Sequence, residues 1–109
     1  MNTVTIWIDA DSCPTLVRNH VVSYANKLNI EVKLVANKNI PMETTFPYQM
    51  IICNKEKDAA DTFILQNVKP YDLVITRDIV FADKLVTKEI HAINDRGTYF
   101  CKDNIKNLL

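Results

Sequence analysis

Short apolar runs rich in β-branched residues each stop at a polar residue, and stretches with helical spacing fall between them. This alternation constrains the fold more than any other feature of the chain. Residues 3–8 (Thr-Val-Thr-Ile-Trp-Ile) end at Asp9, residues 31–36 end at Asn37, and residues 71–76 lead into Arg77 and Asp78. Weaker strand signals cover 49–53 and 91–93, the latter ending at Asn94. Helical spacing predicts a first helix in which Leu16, Val17, His20, Val21, Tyr24, Ala25 and Leu28 recur on one face. Pro14 would be its first residue, with Ser12 or Cys13 as cap. A second helix is expected over 58–68 with Ala59, Phe63 and Ile64 inward, and a third over 78–88 with Phe81, Ala82, Leu85 and Val86 inward. Tyr99 and Phe100 read as extended, and 104–109 as a last helix. Such an order predicts an α/β fold, a three-layer αβα arrangement with a mainly parallel five-stranded sheet.

Composition removes several function classes. Average usage of about 7% would give about eight glycines, but Gly97 is the single one, so neither a GxGxxG turn nor a Walker loop is possible. His20 and His91 are the two histidines, too few for an imidazole-rich metal site. Cys13, Cys53 and Cys101 are odd in number, far apart and without a CxxC, which argues against a disulfide framework or a zinc knuckle and for a reducing cytoplasm. No uncharged apolar run approaches a membrane span, so no membrane partner is expected. With 13 Lys and Arg against 13 Asp and Glu, the chain carries no basic footprint for tight duplex binding.

In a parallel sheet the ligand site lies beyond the carboxyl ends of the strands, where strand order reverses. Asp9 ends the first strand, Asp11 follows it, Asp58 and Asp61 open the second helix, and Asp78 follows the fourth strand. If the first and fourth strands are neighbours, Asp9 and Asp78 approach each other and Asp61 reaches the same crevice. Two carboxylates about 5 Å apart repel by roughly 3 kcal/mol at an effective dielectric of 20. A hard cation cancels that repulsion, and an all-oxygen donor set of Asp9, Asp11, Asp58, Asp61 and Asp78 favours Mg²⁺ or Mn²⁺. Capping is the competing role for an aspartate at a helix start, and it is the default for Asp58. Asp83 is expected on solvent. Cys13 at a helix start is a candidate nucleophile, with a small buried filler as its ordinary role. His20 is expected to pack at the core or its edge, Trp7 to be core, and Lys55, Lys57, Lys84 and Lys88 to be solvated, Lys55 and Lys57 standing where they could meet a phosphate.

The segments Ile6-Trp7-Ile8-Asp9-Ala10-Asp11-Ser12-Cys13-Pro14, Leu34-Val35-Ala36-Asn37, Asp58-Ala59-Ala60-Asp61, Asp72-Leu73-Val74-Ile75-Thr76-Arg77-Asp78 and His91-Ala92-Ile93-Asn94-Asp95-Arg96-Gly97 occur in this order along the whole chain. Together they are similar to the YaiI/YqxD family of bacterial proteins. That family resembles PIN-like domains, whose relatives are Mg²⁺- or Mn²⁺-dependent nucleases. The resemblance implies a single PIN-like domain over 1–109, lacking a C-terminal extension that family members carry. It implies Asp9, Asp61 and Asp78 as the catalytic, metal-holding acids, with Asp11 and Asp58 nearby. Ser12 and Asp95 depart from the family's usual Ala and Pro, and neither is expected to touch the acids.

A metal-dependent phosphodiesterase acting on RNA or another nucleic acid is the leading expectation, with Asn37, Thr76, Arg77 and Asn94 as substrate-binding residues and Thr76 also orienting Asp78. The alternatives are a phosphatase working through an aspartyl phosphate on Asp9, whose Asp9-Ala10-Asp11 resembles the start of a haloacid-dehalogenase-type motif, and an acid-lined module that binds RNA or a partner without cutting.

Overall fold

Neighbouring parallel strands cannot be joined by a tight turn, so each connection must cross a face of the sheet and cover it. The computed structural model describes residues 4–56 and 58–109. Thr3 of the first expected strand and Lys57 lie outside the described residues. The strands are β1 (Thr5–Asp9), β2 (Glu31–Ala36), β3 (Gln49–Ile52), β4 (Leu73–Ile75) and β5 (His91–Ile93), and the helices are α1 (Thr15–Lys27), α2 (Ala59–Asn67), α3 (Ile79–Thr87) and α4 (Lys102–Leu108). They form one five-stranded sheet in the order β3-β2-β1-β4-β5, every pair parallel. The three-layer α/β expectation holds.

Strand addition runs outward from β1 through β2 to β3, then restarts on the other side of β1 with β4 and β5. With right-handed crossovers, such a reversal puts the later helices on the opposite face. Period-two alternation distributes the core accordingly. Trp7, Val35, Val74 and Ala92 cluster with Ile64 of α2, Phe81 and Leu85 of α3 and Ile105 of α4. Ile8, Leu34 and Ile75 face Val22 and Ala25 of α1. The segment 37–48 is the helix-free crossover from β2 to β3, and it drops Ile40 and Met42 onto the same face as α1.

Several boundaries and faces differ from the sequence reading. Pro14 precedes α1 in an extended conformation and no side chain caps that helix, because the Ser12 hydroxyl is turned to Asp9 instead. The buried face of α1 is Arg18, Val22 and Ala25, while Leu16 and Tyr24 are 82% and 57% exposed and His20 stacks beside Tyr24 on the surface. Arg18 is buried without a carboxylate partner: its guanidinium donates to the carbonyls of Ala10 and Cys13 and to Thr15 Oγ1, fastening the 3₁₀ turn Ala10–Ser12 that follows β1. In α2 the buried positions are Ala60 and Ile64, with Ala59 and Phe63 half-buried. The inward face of α3 is as read, and Asp83 is half-buried. β4 is shorter than 71–76 because Asp72 folds back into a turn with Lys69.

One glycine suffices because other residues take the left-handed positions. Asn29 and Glu89 adopt φ of 56° and 61° just past the ends of α1 and α3, where a helix-terminating residue turns left-handed. Gly97, at φ 87°, completes the turn after β5. No helix among the described residues is long and apolar enough to cross a membrane.

Candidate functional site

Because β1 and β4 pair directly, their carboxyl ends open side by side at the strand-order reversal. There Asp9, Asp11, Asp58, Asp61 and Asp78 line one cleft of about 230 Å³, with Ser12, Asn37 and Ala60 between them. All five aspartates singled out from the sequence are therefore brought together.

Each is placed by its own local structure. Asp9, 6% exposed, accepts from the hydroxyls of Thr76 (2.8 Å) and Ser12 (3.1 Å), both through Oδ2. The Thr76 hydroxyl also accepts from the backbone N–H of Asp78 at 3.0 Å, so one side chain ties the ends of β1 and β4 together. Asp11 Oδ2 accepts from the backbone N–H of Asn37 (2.8 Å), which moors the turn after β1 to the end of β2. Asp78 caps α3, its Oδ1 accepting from Phe81 N at 3.1 Å. Asp58 precedes α2 but its side chain makes no cap bond, contrary to its default reading. It sits instead at φ 65°, a left-handed conformation costly for any residue with a Cβ and frequent at functional sites.

The electrostatics follow from crowding. Burial, then the neighbouring charges of Asp9, Asp78 and Asp58, push the Asp61 carboxyl up to about 7, with Lys84 opposing the rise. Burial also raises Asp9, offset by the bonds from Thr76 and Ser12 and reinforced by Asp11 and Asp78. A carboxyl that binds its proton more tightly when folded favours folding below its unfolded value near 3.8, and that contribution is lost as pH rises through about 7. Replacing Asp61 by Asn is therefore expected to flatten the decline in metal-free stability between about pH 4 and about pH 7, measured as urea midpoints across that range. An unchanged slope would show that Asp61 does not titrate there.

Among the described residues, no three or more His, Cys, Asp or Glu side chains stand close enough together to hold one ion between them. The donor chemistry nonetheless suits Mg²⁺ or Mn²⁺. Mg²⁺ is commonly held by one or two carboxylates while keeping several waters, and does not require an all-protein cage.

The remaining candidates divide clearly. Asn37 lines the cleft, with a buried amide oxygen that has no partner among the described residues. Thr76 is 1% exposed, and its hydroxyl donates to Asp9 and accepts from the Asp78 N–H, so it orients Asp9 through a side-chain bond and Asp78 only through the backbone. The Asn94 Oδ1 accepts from the N–H groups of Arg96 and Thr98 and closes the turn after β5. Arg77 pairs with Asp95 at 2.8 Å on the surface beside the cleft. Ser12 does touch an acid, through its bond to Asp9. Burial pushes the Cys13 thiol up to about 11, which suits a filler and not a nucleophile. Lys55 is exposed and does not line the cleft.

The model of the uncharacterised YaiI/YqxD family matches residues 7–109. Proteins named UPF0178 are similar to it: 41% identity over 104 residues for that of Photobacterium profundum (95% of this chain, 69% of the relative) and 41% over 104 residues for that of Treponema denticola (95% and 66%). One from a Nitratiruptor species is 39% identical over 106 residues (97% and 70%). The chain thus spans about two thirds of the length of these relatives. No solved structure matches. With a family match across nearly all of its length, the chain belongs to the YaiI/YqxD family.

Proposed function

We propose that this protein is a divalent-metal-dependent phosphodiesterase acting on RNA or another nucleic acid. The observation that carries the reading is the convergence of Asp9, Asp11, Asp58, Asp61 and Asp78 on one cleft at the reversal of strand order. A phosphate cannot approach that many carboxylates unaided, so a cation is electrostatically required for phosphate chemistry there. The resemblance of the family to PIN-like nucleases points the same way.

One or two of Asp9, Asp61 and Asp78 would bind Mg²⁺ or Mn²⁺ directly and the rest through its retained waters, with Asp11 and Asp58 as outer acids. The ion would supply Lewis-acid polarisation of a phosphoryl oxygen and activation of water. The chain's own groups prepare the site. Thr76 and Ser12 fix Asp9 through Oδ2, the Asp11–Asn37 bond holds the far wall, and Asp61, whose carboxyl is pushed up to about 7, would give up its proton on holding a cation.

The test is cleavage of a labelled single-stranded oligonucleotide with Mn²⁺. Activity should vanish on chelation and in Asp9→Asn, and cleavage that survives unchanged in that variant overturns the reading. Tight binding without cleavage in metal-free buffer, weakening steeply with salt, would identify a binding module instead. A stable phosphate adduct on Asp9 after treatment with acetyl phosphate would identify the phosphatase alternative.

A further inference from the structure

We infer that the groove between the end of β3 and the outer face of α2 is a nucleobase subsite of the acidic cleft, so that the substrate is a strand with an accessible, unstacked base. The inference rests on the phosphodiesterase reading and gives it a second, uncharged half. The groove encloses about 460 Å³, twice the volume of the cleft and within the ordinary range for small-ligand sites.

Its origin lies in the topology. β3 is an edge strand, and α2 packs over β2 and β1, leaving the β3 side of the helix open. Ala59, Thr62, Phe63 and Gln66 follow i, i+3, i+4, i+7 spacing and form one wall, facing Ile51 and Cys53 across the floor. Thr62 and Gln66 are exposed while Phe63 is half-buried, so hydrogen-bonding groups rim an apolar base. That combination suits a planar heterocycle with polar edges.

Continuity with the cleft comes from the first turn of α2. Asp58, Ala60 and Asp61 line the acidic side, and Ala59 and Thr62 line the groove. Charge sets the polarity of binding. Glu56 borders the groove, so the phosphate is directed to the cation in the cleft and the neutral base to the groove.

The experiment compares adenosine 5′-monophosphate with ribose 5-phosphate, by calorimetry on the whole chain with Mn²⁺ present. The base should tighten binding by about tenfold, through apolar contact with Phe63 and hydrogen bonds from its polar edges to Thr62 and Gln66. The double substitution Thr62→Ala and Gln66→Ala, at exposed helix positions that alanine tolerates, should reduce that preference to about threefold or less. Equal affinities for the two ligands, a preference unchanged in the double variant, or binding of neither ligand overturns the subsite. Oligonucleotide cleavage is scored separately: base-dependent binding without cleavage keeps the subsite and rejects the phosphodiesterase, whereas cleavage with base-independent binding does the reverse.

Discussion

Replacing Asp72 by Asn is expected to destabilise the protein by about 3 kcal/mol, a fall in melting temperature of roughly 15 °C for a domain of this size. Asp72 is 1% exposed and accepts three hydrogen bonds: Thr5 N–H to Oδ1 at 2.9 Å, and Trp7 Nε1–H and Lys69 N–H to Oδ2 at 2.9 and 3.0 Å. All three partners are donors. An asparagine offers one oxygen and one NH₂, so whichever way the amide turns, a donor faces a donor and at least one N–H loses its partner. Each such orphan costs about 1–3 kcal/mol, and the charge assistance of the remaining bonds is lost as well. Trp7→Phe removes one of those donors, so it should cost less in the Asp72→Asn background than in the wild type, by about 1 kcal/mol in a double-mutant cycle. Chemical denaturation of the four proteins measures this. A loss below about 1 kcal/mol for Asp72→Asn would show that the three bonds do not clamp the strands.

The contrast between Asp72 and Asp9 separates a fully satisfied carboxylate from an incompletely balanced one. Both are buried, and both bridge β1 and β4, at opposite ends of the pair. At the amino ends Asp72 is met by three donors from nearby backbone and indole. At the carboxyl ends Asp9 is met by two hydroxyls, both on one oxygen, while burial, and after it Asp11 and Asp78, raise its carboxyl. The first arrangement completes the fold. The second leaves negative charge incompletely balanced, which is a cost to folding unless a ligand balances it.

Much of this was legible from residues alone, for physical reasons that differ by element. The strands and α3 were readable because burial on both sides imposes continuous apolar runs and a wide apolar stripe. Asp9, Asp11, Asp61 and Asp78 could be located because a parallel sheet directs its strand ends to one edge. The α1 face was misread because Arg18 occupies its centre: a cation there interrupts the apolar pattern, while Leu16, Tyr24 and Leu28 mimic a core stripe on the outside. Asp72 escaped notice because an aspartate before a strand reads as an ordinary turn residue. Its signal was the indole two residues into β1, a donor that needs a buried acceptor. Thr76 and Asn94 were placed at the correct edge, but their roles depend on which neighbours claim their side chains, and spacing carries no such information.

Saturating Mn²⁺ is expected to raise stability by about 2.7 kcal/mol at one hundred times its dissociation constant, because an ion held by convergent carboxylates binds only the folded chain. Asp78 makes this prediction separable from helix capping. Its Oδ1 caps α3 through Phe81 N, and its charge contributes to the crowding that raises Asp61. Asparagine caps a helix about as well as aspartate, whereas alanine does not. Asp78→Asn should therefore leave the metal-free protein equally or more stable, since repulsion is relieved and the cap kept, while most of the Mn²⁺-induced shift disappears. Asp78→Ala should lose the same metal response and also about 1 kcal/mol of metal-free stability. Thermal melts of the three proteins with and without Mn²⁺ read both quantities. If Asp78→Asn keeps the full metal-induced shift while Asp78→Ala shows only the capping loss, Asp78 serves α3 alone and the cation must be sought on Asp9, Asp11 and Asp61.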